Sequence, residues 1–172
     1  MAGESGNQAE GKGSELQTLL YSAEFQVFAT YVAILGLKMM VLSFLTMSER
    51  VLKGVFVTRE DYEAFGDPSF SKQQIRRKTE EKDLYIERIR RCHRNDLENI
   101  TVFILVGLIY LFCTKPTPDS AILHFRVFAG ARIFHSLAYL LPLPQPCRLF
   151  GFLVGALATI SMIIRILYQA QF

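Results

Sequence analysis

Arg132, His135 and Tyr139 stand at i, i+3 and i+7 within one apolar stretch. On a helix that spacing lines them along a single stripe. Glu87, Arg91, Arg94, Asn95 and Glu98 repeat at i, i+4, i+7, i+8 and i+11, again one helical face. Arg148 follows a proline-rich turn. Several guanidiniums with amide and phenol donors and few carboxylates suit an anionic polar ligand, because an Arg fork pairs bidentately with a carboxylate. The same field favours a bound thiolate over a thiol. A free Cys thiol titrates near ~8.5. Lowering that value by about two units takes roughly 2.7 kcal/mol of preferential anion stabilisation, within reach of one desolvated Arg beside sulfur.

The elements that carry these residues are apolar and long. The chain has 172 residues, a length suited to one domain. Hydrophobic residues make up 51% and charged ones 20%, and the mean hydropathy is +0.24. Charges crowd into residues 1–24 and 48–98, leaving apolar runs elsewhere. This pattern argues against a disordered chain, a disulfide-stapled secreted module and an ordinary water-soluble enzyme, and points to a small all-α integral membrane protein. The net charge of +3 comes from basic residues pinned between apolar runs, not from the aromatic-flanked basic face of a nucleic-acid binder. Cys92, Cys113 and Cys147 are an odd set without CxxC or metal spacing. No disulfide or metal is expected from them.

Four spans are expected at about residues 25–47, 85–113, 121–141 and 147–168, each long enough for a bilayer at 1.5 Å per residue. Residues 1–24 read as a flexible polar tail and 25–172 as the membrane domain. The first apolar run is too long and too far in for a cleavable leader, so it reads as a retained anchor. The segment 114–119 (TKPTPD) contains two prolines and an Asp suited to capping the third helix. The segment 142–146 (PLPQP) forces a short extended turn. Short loops make spans two, three and four neighbours in a four-helix bundle. The polar connection 48–84 is expected to hold a small flap around 62–74, with Gly66-Asp67-Pro68 as a turn. It is also dense in Lys and Arg, which puts it in the cytosol and both termini in the lumen. In that topology Arg94, Asn95, Glu98, His135 and Tyr139 converge near the cytosolic end, with Arg132 deeper and Arg148 at the same level.

Each residue also has a plainer reading. Arg88 and Arg90 lie off the polar stripe and read as solvated or headgroup residues. Lys38 either snorkels or pairs with Glu98 inside the bundle. Arg126 and Arg165 read as interfacial anchors on the luminal side. Glu98 either touches ligand or is the internal counter-ion of Arg132 or Arg94. His135 alone would be a packed histidine; its register with Arg132 and Tyr139 raises it to a site residue. A channel or proton path would need a row of polar groups across the membrane, whereas these cluster at one end.

Residues 87–99 (ERIRRCHRNDLEN), 123–126 (LHFR) and 130–146 (GARIFHSLAYLLPLPQP) carry a family resemblance. Together they resemble the MAPEG family, membrane-associated proteins of eicosanoid and glutathione metabolism. The similarity is nearest to its microsomal glutathione-transferase branch, with the prostaglandin-synthase branch second, and runs from about Val27 to Leu167.

The resemblance implies a homotrimer of four-helix subunits that binds glutathione as co-substrate between neighbouring subunits at the cytosolic side. It implies transfer of the glutathione thiolate to hydrophobic electrophiles, with glutathione-dependent peroxidase activity on lipid hydroperoxides. Arg91, Arg94, Asn95, Glu98, Arg132, His135 and Tyr139 fall on glutathione-binding positions, and Arg50 and Lys38 match weaker ones. Arg148 falls on the arginine that stabilises the thiolate. The implied location is the endoplasmic reticulum membrane, with the outer mitochondrial membrane as a second site. Two rivals are prostaglandin E synthesis and a non-enzymatic lipid-presenting scaffold. The synthase branch carries a serine where this chain has Leu149. The scaffold branch lacks the arginine-rich motif that this chain keeps. The transferase branch has a redox-sensing cysteine where this chain has Tyr62.

Overall fold

A computed structural model of the protein describes residues 17–18, 20–80 and 83–170. The helices are α1 (Ala23–Lys53), α2 (Arg59–Phe65), α3 (Lys72–Glu80), α4 (Leu84–Thr114), α5 (Pro118–Leu140) and α6 (Gln145–Gln169), with no strand among the described residues. By length and composition α1, α4 and α6 are long and apolar enough to cross a membrane. The fourth expected span, α5, is not among these three; it carries His124, Arg126, Arg132 and His135.

Local chemistry sets the helix ends. The Ser22 side chain accepts a hydrogen bond from Phe25 N and starts α1. Gly54 ends it at φ 61°, a left-handed conformation that costs glycine nothing. Asp83 Oδ1 accepts from Tyr85 N at 2.9 Å and Ile86 N at 2.8 Å, opening α4. Lys53 Nζ reaches the same Asp83 oxygen at 3.1 Å, tying the end of α1 to the start of α4. Asp119 was the expected cap of α5, but the cap position belongs to Thr117. Pro118 takes the first helical position, where its missing N–H is no loss, so Asp119 falls inside the first turn.

The four long helices pack side by side. The α5–α6 pairing is the most extensive; α4 touches α1, α5 and α6, and α1 also touches α5. Glycines permit the close approaches. A Cβ on Gly151 would lie 3.1 Å from the Cα and Cβ of His135, and one on Gly155 would lie 3.5 Å from Arg132 Cδ. A Cβ on Gly107 would meet the Phe28 ring at 2.7 Å. The apolar half of the packing centres on Phe28, Phe103, Phe125 and Phe128. Phe103 and Phe128 stack with centroids 3.8 Å apart. The polar connection folds into α2 and α3, which pack on each other around Phe56, Tyr62 and Ile75. The turn between them closes where Asp67 O accepts from Phe70 N at 3.1 Å, with Asp67 Oδ1 accepting from Ser69 N at 2.9 Å.

Candidate functional site

α4 and α5 run antiparallel, and their register brings the chemistry-bearing residues into rungs. Arg132 lies against Asp96, Ser136 against Cys92, and Tyr139 against Arg88. The innermost rung is ionic. Arg132 Nη2 donates to Asp96 Oδ1 at 2.6 Å and to Asn95 Oδ1 at 2.6 Å, and its Nε reaches Asp96 Oδ1 at 3.2 Å. Lys38 Nζ, from α1, donates to the other Asp96 oxygen at 2.6 Å, and Ser136 Oγ adds a bond to that oxygen at 3.1 Å. Asp96 is fully buried and Arg132 nearly so. A buried carboxylate shared by two cations and a hydroxyl has its acceptor sites filled, which is the condition for a charged group to persist in the interior.

This arrangement corrects the sequence reading. The counter-ion of Arg132 and Lys38 is Asp96, not Glu98, which is exposed and unpaired among the described residues. The reason lies in the helical face. The buried residues of α4 include Ile86, Ile89, Cys92, Asp96, Ile100, Phe103, Gly107 and Tyr110, spaced by threes and fours. Asp96 occupies an apolar-stripe position, whereas Glu98 lies on the outer side. A polar residue inside an otherwise apolar series was the signal that could have found it.

Toward the start of α6 the site becomes aromatic and cationic. The His135 and Tyr139 rings are 5.7 Å apart. The Arg148 guanidinium carbon lies 4.9 Å from the Tyr139 ring centroid, a cation–π contact. Arg148 Nη2 also donates to Gln145 Oε1 in the same first turn. Arg88, expected in solvent or at headgroups, is half-buried and donates to the Tyr139 carbonyl at 3.4 Å. Arg90 is exposed and pairs with Glu87, so the solvated reading fits Arg90 alone.

Several buried polar atoms are spare. Arg132 Nη1, Arg148 Nε, Arg50 Nε and His135 Nδ1 are buried with no hydrogen-bond partner among the described residues. Buried polar atoms are normally paired, so the spare atoms of Arg132, His135 and Arg148 are ones a ligand could satisfy. Arg91 and Arg94 are exposed and, like Glu98, make no hydrogen bond or ion pair among the described residues. One chain therefore gathers Lys38, Asn95, Arg132, His135, Tyr139 and Arg148, and leaves Arg91, Arg94 and Glu98 on an outward face. Arg50 sits half-buried near the end of α1. Asp96, Ser136 and Gln145 are the structural partners that the sequence reading did not single out.

Residues 28–168 match the MAPEG family. The chain is 44% identical over 153 residues to microsomal glutathione S-transferase 1 of Homo sapiens, covering 89% of this chain and 95% of that protein. It is 43% identical over 154 residues to the Rattus norvegicus protein of the same name, covering 90% and 96%. Prostaglandin E synthase of Homo sapiens is 32% identical over 152 residues, covering 88% and 93%.

Proposed function

The chain belongs to the MAPEG family, and from that premise we propose that it is a membrane-bound glutathione S-transferase, with glutathione as co-substrate. The observation that carries the reading is the pair formed by Arg148 and its surroundings. A guanidinium stands over Tyr139 beside His135 with its Nε buried and unpartnered, and the relatives named microsomal glutathione S-transferase 1 match nine-tenths of the chain. Such a guanidinium favours sulfur as the anion. The thiolate then attacks an electrophilic carbon; the C–S bond forms as the leaving group, chloride for a chloronitrobenzene, departs with its electron pair. No protein nucleophile is needed. Arg132, His135, Asn95 and Tyr139 hold the tripeptide, with Lys38 and Arg50 at its margin. The same thiolate reduces lipid hydroperoxides: its sulfur attacks the terminal peroxide oxygen, the O–O bond breaks and the protonated alcohol leaves, and a second glutathione then attacks the resulting sulfenic acid to give glutathione disulfide and water.

Arg91, Arg94 and Glu98 complete the site from a second copy. Charged side chains on the outer face of an apolar span are costly in lipid, and a homotrimer of four-span subunits would cover them. The basic connection 48–84 faces the cytosol, so glutathione enters from there and hydrophobic electrophiles enter laterally from the lipid. The endoplasmic reticulum membrane, and secondarily the outer mitochondrial membrane, suits this arrangement. Prostaglandin E synthesis is the weaker reading, since Leu149 offers no hydroxyl beside Arg148.

The test is direct. Purified protein with glutathione should show ultraviolet thiolate absorbance near neutral pH and conjugate a chloronitrobenzene. A folded preparation that does neither would sink the reading, and endoperoxide turnover far above conjugation would replace it with the synthase.

A further inference from the structure

We propose a second binding site, at the end of the helices away from Arg148, that takes the anionic headgroup of a phospholipid on the Arg165 guanidinium. A cavity of ≈ 360 Å³ opens there, lined among others by Tyr110, Thr114, Ile164, Arg165 and Tyr168. Arg165 lies seventeen residues beyond Arg148 on α6, about 25 Å at the helical rise of 1.5 Å per residue, so the two sites are separate.

The site is built by three helices. Arg165 Nη1 donates to Ser120 Oγ at 2.8 Å and contacts the Tyr110 hydroxyl at 3.4 Å. Tyr110 is fully buried, and its hydroxyl shares a bond of 3.3 Å with Ser120 Oγ. His124 braces the cluster from behind, with Nδ1 2.6 Å from the Ser120 carbonyl oxygen and Nε2 2.5 Å from Ser161 Oγ. Arg165 is thus held by hydroxyls alone and has no carboxylate within ion-pair range among the described residues. Its charge is positioned but not neutralised.

The surroundings select an amphiphile over a free anion. Ile164 and Tyr168 are 60% and 87% exposed beside the guanidinium, giving an apolar wall on the outside of a helix long enough to span a bilayer. A cation at a span end, flanked by an exposed tyrosine and an aliphatic surface, matches a phosphate with its acyl chain running down the helix. A fork of N–H donors suits a phosphate bidentately.

Native mass spectrometry of the full chain, exposed in detergent to phosphatidylglycerol or phosphatidylcholine of equal chain length, tests this. Phosphatidylglycerol should be retained several-fold more than phosphatidylcholine. Arg165→Gln should bring the two to parity and Arg165→Lys should keep most of the preference, with glutathione conjugation unchanged in both as the check on folding. Equal retention by the unaltered chain would overturn the proposal. So would a preference that survives in folded Arg165→Gln, or displacement of the lipid by inorganic phosphate at millimolar concentration. If Arg165→Gln does not fold, the preference of the unaltered chain, its retention by Arg165→Lys and its resistance to phosphate decide the matter.

Discussion

Asp96 Oδ1 and Arg132 Nη2 meet at 2.6 Å with neither side chain reaching solvent, and Lys38 holds the opposite carboxylate oxygen at the same distance. One α4 carboxylate therefore binds α1 and α5 together at the level where the proposed site begins. Arg132 spends Nε and Nη2 on this contact and on Asn95 while Nη1 stays spare. Asp96 is a positioning residue: it aims Arg132 without itself facing ligand.

Asp96→Asn should be strongly destabilising. The substitution removes the negative charge and leaves Lys38 and Arg132 buried together, and breaking a buried pair in this way costs about 3–5 kcal/mol. Gln73→Ala should leave stability within about 0.5 kcal/mol, as expected for an exposed residue of α3 without partners among the described residues. Thermal unfolding in detergent compares the two. Equal melting temperatures would show that the Asp96 network contributes nothing.

The glycines give a sharper contrast. Alanine at Gly151 would place its Cβ 3.1 Å from backbone and Cβ atoms of His135, and neither can swing away, so α5 and α6 must part by some tenths of an ångström. Overpacking of this kind costs typically 1–3 kcal/mol. Gly36 is also within a long helix, but nothing stands within 4 Å of its would-be Cβ. Gly36→Ala should therefore be neutral or gain up to about 1 kcal/mol through helix propensity. A melting temperature that falls for Gly151→Ala alone would confirm the packing; two that move alike would contradict it.

The long helices were legible because bilayer-length apolar runs and proline-rich breaks are properties of the chain itself. The breaks fall at residues 115–117 and 141–144, so each proline-rich segment straddles a helix start, with Pro118 inside the first turn of α5 and Pro146 inside that of α6. The stripe of Arg132, His135 and Tyr139 also emerges inward or half-buried along α5. Periodicity gives a face, however, and not the direction in which the face points. The charged stripe of α4 was read as turned toward the site, yet Arg91, Arg94 and Glu98 look outward, because the apolar series through Ile89 and Phe103 claims the interior. Asp96 was missed for the same reason. Its partners come from α1 and α5, 58 and 36 residues away, a proximity that no local spacing encodes. Thr117 could have been read, since a proline at the first helical position names the residue before it as the cap.

Acid should loosen the junction of α1 and α4 through Asp83. The Ile86 N–H, and after it the Lys53 ammonium, hold the Asp83 carboxyl below the usual carboxylate range. A depressed folded pKa means stability that is present above the unfolded value of about 3.9 and lost as pH falls through the folded one. Asp83→Ala should thus melt earlier than the unaltered chain at neutral pH, and the gap should close only below the ordinary carboxylate range. Melting curves from pH 7 down to pH 3 would show it. A gap that stays constant throughout would mean that the cap acts by shape alone.

Arg148 separates binding from activation. It lies over Tyr139 at the start of α6, apart from the Asp96 network that fixes Arg132. Arg148→Ala should therefore leave part of the glutathione affinity while raising the pKa of the bound thiol. If Arg148 supplies the two pKa units that a neutral-pH thiolate needs, its loss should cut thiolate absorbance and conjugation at pH 7 by roughly 25-fold, and the rate should recover as pH is raised. Arg132→Ala should behave differently, weakening binding at every pH without such recovery, because it removes a contact to the tripeptide and not the charge beside sulfur. The measurement is the pH profile of conjugation at saturating glutathione, taken with a calorimetric dissociation constant for each variant. An Arg148→Ala profile that keeps the shape and height of the unaltered one would remove Arg148 from the catalytic role.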